Sequence, residues 1–158
     1  MAELTHLDGA GSARMVNVGA KTDTVRSATA CGAIRMSAEA FRLVADGAVA
    51  KGDVLTVSQI AGTMAAKRTA ELIPLCHPLG LDHIEVQATL DDGLPGVRVQ
   101  ATVRTTGKTG VEMEALTAVT VALLTVYDMV KSADRGMELE AVRLMEKTGG
   151  SRGDWRRA

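Results

Sequence analysis

The sequence predicts an α+β fold, a two-layer sandwich of ferredoxin-like arrangement in which helices cover one face of an antiparallel sheet. Two strand-like segments flank the stretch 91–96, DDGLPG, whose composition is typical of a hairpin turn. Helical patterns separate the other strand segments, and the longest helix is apolar nearly all round, so it must be buried on more than one side. The length of 158 residues fits a single domain, 1–158.

The N-terminal part of the chain contains an arm, a strand and a short helix in this prediction. Residues 1–22 are small and polar with little periodicity, and we expect an arm that is mobile or ordered by a ligand. Small and apolar residues alternate with polar ones over 25–36, which predicts a strand. Ser37 is the expected N-cap of an amphipathic helix that ends at Asp46-Gly47.

The middle of the chain is predicted to hold a helix and the hairpin. Lys51-Gly52-Asp53 forms a turn, and a helix rich in small residues follows over 54–72 until Pro74 ends it. Two strands are expected at about 84–90 and 97–105, joined by the hairpin turn.

The longest helix is predicted over 111–132. Thr109 and Glu112 have the spacing of a capping box, which would mark the start of this helix. A last strand over 138–146 shows an alternation of two sets of side chains. The glycine-rich tail, 148–158, is expected to be mobile or ordered by a ligand.

The composition argues against several classes of function. Basic residues number 18 and acidic residues 19, whereas a nucleic-acid binder normally shows a basic excess. Aromatic residues make up 2%, too few for a platform on which bases could stack. With so few large side chains, one chain has little apolar surface to bury in its own core, which favours burial against a second subunit. No apolar run approaches the roughly 18 residues of a membrane span, and the first residues lack the pattern of a signal peptide. We expect no nucleic-acid partner, no membrane association and a cytoplasmic location that keeps Cys31 and Cys76 reduced.

The segment 73–79 is the most unusual local feature of the sequence. Pro74 and Pro78 restrict the backbone on both sides, so Cys76 and His77 are held in a stiff conformation. Either His77 contacts a ligand or it is a hydrogen-bonded loop residue. A nucleophilic pair of Cys76 and His77 is disfavoured, because neighbours in an extended segment point to opposite sides.

The cysteine and histidine residues do not predict a metal site. Their spacing does not match tetrahedral coordination, and the residues concerned are Cys31, Cys76, His6, His77 and His83. A metal hydrolase is therefore the weakest of the alternative functions.

The Gly107-Lys108-Thr109 segment, at a predicted strand-to-helix junction, suggests a phosphate-binding loop. The full pattern requires a glycine at the position of Thr102, so that loop is incomplete and a nucleoside triphosphatase is only an alternative. Several basic side chains that converge on one pocket would still suit a polyphosphate. The candidates are Lys21, Arg26, Lys51, Lys67, Arg68, Lys108, Lys131 and Lys147.

The end of the long helix carries a charged pair on an otherwise apolar surface. Asp128 and Lys131 are neighbours at i and i+3, and they form either a salt bridge or an acid/base pair. Glu114 shares a stripe with Asp128 but lies roughly 21 Å away along the axis. The two carboxylates therefore serve different ends of a long ligand, or the site is shared between subunits. A non-enzymatic oligomeric scaffold is the other alternative that the apolar helix suggests.

These residues and their surroundings resemble the MoaC family of cyclic pyranopterin monophosphate synthases. The most specific matches are the segments around Cys76-His77 and over 110–114. Matching segments follow one another along nearly the whole chain, at 4–6, 15–18, 51–54, 60–62, 65–69, 72–79, 106–117, 124–131 and 143–150.

The resemblance implies a lyase of molybdenum-cofactor biosynthesis that acts on a cyclised derivative of GTP. The expected substrate is 3′,8-cyclo-7,8-dihydroguanosine 5′-triphosphate, and the products are cyclic pyranopterin monophosphate and pyrophosphate. The resemblance implies no cofactor and leaves room for Mg²⁺ beside the triphosphate. It also implies a homohexamer, a trimer of dimers, with active sites at subunit interfaces.

The resemblance assigns roles to individual residues of this chain. It implies that Asp128, Lys131 and Lys51 are catalytic. The residues implied to contact the substrate are Leu75, Cys76, His77, Met113 and Glu114, and those implied to bind the triphosphate are Arg26, Lys67 and Lys147.

The sequence departs from the family at Asn17, where the family motif has aspartate. The amide removes a charge and a potential base. We therefore expect Asn17 to form a hydrogen bond within the arm rather than to take part in catalysis.

Overall fold

The computed structural model describes residues 7–158, which form one sheet with four helices. Every neighbouring pair of strands is antiparallel, and the sheet order is β2-β3-β1-β4-β5. The elements are β1 (Thr24–Arg35), α1 (Ala38–Ala45), α2 (Val54–Lys67), α3 (Thr69–Leu72), β2 (His83–Asp91), β3 (Gly96–Gly107), α4 (Glu112–Val130), β4 (Glu138–Thr148) and β5 (Trp155–Arg156). The βαββαβ connectivity with β1 between β3 and β4 is the ferredoxin-like arrangement, which confirms the predicted fold class.

The core is built from small aliphatic side chains, as the shortage of aromatic residues predicts. α4 packs against the sheet and against α2, and six of its side chains are fully buried: Ala115, Ala118, Val119, Ala122, Leu123 and Val126. A Cβ at Gly62 of α2 would lie 2.9 Å from the carbonyl oxygen of Ala118, so the two helices approach almost to backbone contact. This close approach compensates for the lack of large core side chains.

The position of α4 in the core explains its composition. By length and hydropathy this helix reaches the range of a membrane span, so the expectation that no apolar run approaches that length is wrong. Half of its most apolar window is buried inside the fold. A core helix that packs against a sheet and a second helix has this character without any membrane.

Two predicted helix boundaries are wrong. The helix predicted over 54–72 is two helices, α2 and α3, with a turn at Arg68 between them. The buried hydroxyl of Thr69 donates to the carbonyls of Ala65 and Ala66 across this turn. The predicted capping box is also absent. Val111 is the N-cap of α4 and no side chain caps that end, because the helix begins two residues later than a cap at Thr109 requires.

The caps and turns of the first half follow the prediction. The Ser37 hydroxyl accepts a hydrogen bond from the backbone N–H of Ala40 and begins α1. The Asp53 carboxylate accepts one from the N–H of Thr56 and begins α2 after the turn at Gly52. The hairpin turn over 91–96 joins β2 to β3 as expected.

The C-terminal part holds two features that the sequence did not predict. β4 has two register shifts against β1, and Ala141 takes a left-handed conformation with φ of 52°, so the expected strict alternation is interrupted. β5 pairs with Glu146 and Lys147 of β4 and turns the tail back into the sheet.

The arm has little regular structure, in agreement with its low periodicity. Leu7 and Ala13 form an isolated bridge, and no helix or named strand occurs over 7–23. The family-like segment Leu4-Thr5-His6, including the candidate metal ligand His6, lies outside the described residues.

We predict that Gly32→Ala destabilises the protein by about 1–3 kcal/mol, the usual range for overpacking a core. A Cβ at Gly32 would lie 2.9 Å from side-chain carbons of both Val119 and Leu123, and it would force α4 away from β1. Urea denaturation followed by circular dichroism measures the change. Gly80→Ala is the matched control, because no atom lies within 4 Å of its Cβ position. Equal stability of the two variants would contradict the close packing of α4 on β1.

Candidate active site

A cavity of about 630 Å³ opens at the N-terminal end of α4. The arm, the proline-containing segment 73–79, the β3–α4 junction and the end of β4 with the loop that follows it form its walls. Nineteen residues line it: Val16, Val18, Lys21, Arg26, Ile73, Leu75, Cys76, His77, Leu79, Lys108, Thr109, Gly110, Glu112, Met113, Lys147, Gly149, Gly150, Ser151 and Arg152.

The cavity brings together six of the predicted site residues from distant parts of the chain, namely Arg26, Leu75, Cys76, His77, Met113 and Lys147. β1 and β4 are paired, so Arg26 and Lys147 lie on neighbouring strands at the same end of the sheet. Met113 lies in the first turn of α4. The segment 73–79 follows α3 and places Leu75, Cys76 and His77 opposite them.

Cys76 and His77, two of the three residues between the prolines, have different partners. His77 Nε2 lies 2.8 Å from the carbonyl oxygen of Val16 and joins the segment to the arm. Cys76 Sγ lies 3.9 Å from Glu114 Oε1. Both side chains line the cavity, and His77 is at the same time hydrogen-bonded, so the two interpretations of this histidine are compatible.

Glu114 lies beneath the cavity rather than in its wall. Its side chain is buried, with 3% of the residue exposed, and Oε2 has no hydrogen-bond partner among the described residues. Burial raises the pKa of Glu114, and the nearby Glu112 carboxylate adds to the rise. Burial also raises the pKa of the Cys76 thiol, and the Glu114 carboxylate adds to that rise. Both shifts favour neutral, proton-bearing groups below the cavity.

The cavity wall carries an excess of positive charge. Among residues 7–158, only one carboxylate, that of Glu112, lines it. The cations are Lys21, Arg26, Lys108, Lys147 and Arg152. This excess makes the cavity suitable for a polyanion such as a triphosphate.

The arm is held over the cavity by hydrogen bonds. Lys108 Nζ donates to the carbonyl oxygen of Gly19 at 2.9 Å, and His77 contacts Val16 as described above. Asn17 Oδ1 accepts from the N–H of Gly19 at 2.9 Å, so this amide forms a turn within the arm, as the sequence predicts.

The predicted catalytic residues form a second cluster at the other end of α4. Asp128 Oδ1 accepts a hydrogen bond from Lys131 Nζ at 2.6 Å, and Oδ2 accepts one from Lys51 Nζ at 2.7 Å. Lys51 also donates to the backbone carbonyl of Asp128. Hydrogen bonds from Lys131 and then Lys51 lower the pKa of Asp128 to about 2. The three side chains are about half exposed, so solvent screens the ion pairs.

The catalytic cluster, defined as Lys51, Asp128 and Lys131, does not line the cavity of the same chain. α4 holds Glu114 at one end and Asp128 at the other, about 21 Å apart by helical rise. Lys67, at the C-terminal end of α2, is exposed and also lies outside the cavity wall. One chain therefore holds the predicted site residues in separate places.

Two alternative sites fail on geometry. Thr102, the position that would need glycine in a phosphate-binding loop, lies within β3 with its hydroxyl 2.9 Å from that of Thr29. Over residues 7–158, no three or more histidine, cysteine or carboxylate side chains are grouped for a metal ion.

Glu112 and Arg152 are cavity residues that sequence reasoning missed. Glu112 was assigned to a cap, whereas its carboxylate folds back against Gly110, where a Cβ would lie 2.0 Å from Oε2. Arg152 follows the two glycines after β4, and only the turn into β5 brings it to the cavity. The signal available in the sequence was the run of glycines beside Lys147.

The model of the MoaC family matches residues 15–150 of this chain. Two curated relatives, from Roseiflexus sp. (strain RS-1) and Methylobacterium sp. (strain 4-46), carry the name cyclic pyranopterin monophosphate synthase. Each is 59% identical to this chain over 155 residues, which is 98% of this chain. The match covers 98% of the Roseiflexus protein and 97% of the Methylobacterium protein.

We predict that Asp128 stays ionised at pH 3.8, where an ordinary aspartate is half protonated. Its pKa is depressed, so the pairing stabilises the fold above pH 3.8 and is lost as the pH falls through about 2. Carboxyl-carbon NMR measures the midpoint directly. In Lys131→Ala the midpoint rises towards 3.8, and in Lys51→Ala it rises less, because Lys131 makes the larger contribution. A midpoint near 3.8 in the unaltered chain would show that the cluster does not form.

Proposed function

The chain belongs to the MoaC family, and we propose that its cavity binds 3′,8-cyclo-7,8-dihydroguanosine 5′-triphosphate and forms cyclic pyranopterin monophosphate and pyrophosphate. The protein is thus a lyase of molybdenum-cofactor biosynthesis. The observation that supports the proposal best is the meeting of five cationic side chains in one cavity of about 630 Å³ that Cys76 and His77 also line. Ligand sites of roughly 300–1,000 Å³ are usual for small molecules.

The charge distribution divides the cavity between the two parts of this substrate. The cationic wall suits the triphosphate, and Arg26 and Lys147 lie there as the resemblance implies. The segment 75–77 and Met113 suit the guanine-derived ring, and Glu114 lies behind them, within reach of the Cys76 thiol.

The reaction has two chemical demands. Opening and rebuilding the guanine-derived ring requires proton transfers by positioned acids and bases. In the second half, a substrate hydroxyl forms a bond to the α-phosphorus, and the bond from that phosphorus to the bridging oxygen breaks. Pyrophosphate leaves with the electron pair, and fixed cations stabilise the charge that develops on it.

The catalytic cluster supplies the proton-transfer groups in this proposal. Asp128 is ionised at neutral pH because its pKa is about 2, so it orients the two lysines rather than donating a proton. Lys131 and Lys51 donate hydrogen bonds to different oxygens of the carboxylate. Together they provide an acid and, after proton loss, a base at one point of the site.

A complete active site requires two subunits in this proposal. The cavity of one chain lacks the catalytic cluster, and a neighbouring chain in a homohexamer, a trimer of dimers, supplies the cluster and Lys67. Exposed apolar side chains on the helical layer support such burial between subunits. They are Val57, Ile60, Met64, Leu72 and Leu124.

The proposal needs no resident cofactor, and Mg²⁺ can accompany the triphosphate. The side chains assigned here supply both the proton transfers and the positive charge. The cysteines Cys31 and Cys76 are not paired in a disulfide, which supports a cytoplasmic location.

We expect Lys131→Ala to abolish formation of the tricyclic pterin and of pyrophosphate from the cyclised GTP derivative, because the cluster loses its main proton carrier. Product analysis by chromatography and a pyrophosphate assay measure the loss, and light scattering checks that the assembly is intact. Arg42→Ala, an exposed position of α1, is the control and keeps normal turnover. Near-normal turnover of Lys131→Ala would contradict the catalytic assignment.

Mixing two inactive variants tests whether the site is shared. Asp128→Ala removes the catalytic cluster and His77→Ala alters the cavity, so exchanged oligomers contain some sites with both halves intact. We expect partial recovery of activity after subunit exchange, verified with differently tagged chains by mass spectrometry. Complete exchange without any recovery would exclude a shared site.

A further inference from the structure

The loop after β4 contains a cavity residue without a side chain, Gly150, to which the proposed function gives no role. We propose that Gly150 is a positioning residue: because it has no side chain, the guanidinium of Arg26 can lie against its backbone at the cavity wall. This inference rests on the proposed role of Arg26 in binding the triphosphate.

The Arg26 guanidinium is hydrogen-bonded on one side and closely approaches Gly150 on the other. Its Nε donates to the carbonyl oxygen of Gly107 at 3.0 Å, which fixes the plane of the guanidinium from the β3 side. On the other side, a Cβ at Gly150 would lie 2.3 Å from Arg26 Nη1 and 3.0 Å from Cζ. Real Cβ atoms do not approach other atoms so closely, so only glycine permits this position of the guanidinium.

The loop itself is anchored rather than free. The N–H of Gly149 donates to the Asp154 carboxylate at 2.9 Å, and the N–H of Gly153 donates to the carbonyl of Gly150 at 3.2 Å. β5 then returns along β4, where Trp155 pairs with Lys147. An added side chain at Gly150 therefore meets a supported backbone, and the tip of Arg26 is the part that must move.

The neighbouring glycine has a different role. A Cβ at Gly149 would lie 2.2 Å from the backbone carbonyl oxygen of Val25, so a substitution there disturbs the sheet. At Gly150 the close atoms belong to the end of a flexible side chain. The structure thus separates a glycine that serves the fold, Gly149, from one that serves the site.

The position of the Arg26 guanidinium matters because a guanidinium recognises phosphate through the direction of its N–H groups. Arginine offers a planar fork that can donate two parallel hydrogen bonds to phosphate oxygens. A displaced fork loses such bonds, and a hydrogen bond to a charged group corresponds to roughly tenfold or more in binding.

The test compares Gly150→Ala with Gly153→Ala in the full chain. Both glycines have positive φ, 83° and 70°, so both variants carry the same kind of backbone strain. No atom lies within 4 Å of a Cβ at Gly153, so only Gly150→Ala displaces Arg26. We expect Gly150→Ala to raise KM and the inhibition constant of inorganic pyrophosphate on the order of tenfold with kcat little changed, and Gly153→Ala to leave all three near normal.

Arg26→Ala closes a double-mutant cycle. If Gly150 acts through Arg26, then Gly150→Ala has no further effect on KM in the Arg26→Ala background. The positioning role is overturned if the effects of Gly150→Ala and Arg26→Ala on KM are additive. It is also overturned if Gly150→Ala and Gly153→Ala have the same KM. In both cases Arg26→Ala alone still impairs binding, so the proposed function stands. A lower melting temperature of Gly150→Ala than of Gly153→Ala also overturns it, because the substitution would then have disturbed the backbone of the loop instead of moving the Arg26 side chain. An Arg26→Ala variant with normal KM and normal pyrophosphate inhibition refutes the proposed role of Arg26 itself, and the inference with it.

Discussion

The close packing of α4 between the sheet and α2 is the constraint on which the rest of the structure depends. Small residues allow it, because Gly32 of β1 and Gly62 of α2 leave room for α4 where any side chain would collide. With few aromatic side chains available, dispersion contacts at short range hold the layers together. A helix fixed in this way holds Glu114 and Asp128 at a constant separation, so the cavity and the cluster of Lys51, Asp128 and Lys131 have a rigid common support.

Glu114 and Asp128, two of the three carboxylates on α4, show how the surroundings of a group shift its pKa. Glu114 is buried and its pKa is raised, whereas Asp128 is exposed between two lysines and its pKa is lowered. One end of the helix therefore contributes a group that favours the neutral form, and the other contributes a permanent anion. The shifts come from burial in one case and from hydrogen-bonded cations in the other.

Much of the fold follows from local patterns, while the site depends on contacts that no local pattern contains. Strands β1 to β4, the cap at Ser37 and the hairpin were predictable, because each is encoded within a few residues. The pairing of Asp128 with Lys131 was predictable from helical spacing, and its third member, Lys51, came from the family resemblance. The break at Arg68 was not predictable, because no glycine or proline marks it in the sequence.

The convergence of cations was equally hard to foresee in full. Arg152 reaches the cavity only because β5 turns the tail back, and β5 is too short to leave a periodic signal. Glu112 satisfied a capping pattern that the helix did not use. Long-range strand pairing and side-chain packing, rather than propensity, placed both residues.

The irregular pairing of β4 also affects the tendency of this chain to aggregate. An edge strand with free backbone groups is a template for pairing with another molecule. Here β5 occupies part of that edge beside Glu146 and Lys147, and the register shifts and the left-handed Ala141 distort the remainder. Edge-to-edge pairing along β4 is therefore disfavoured.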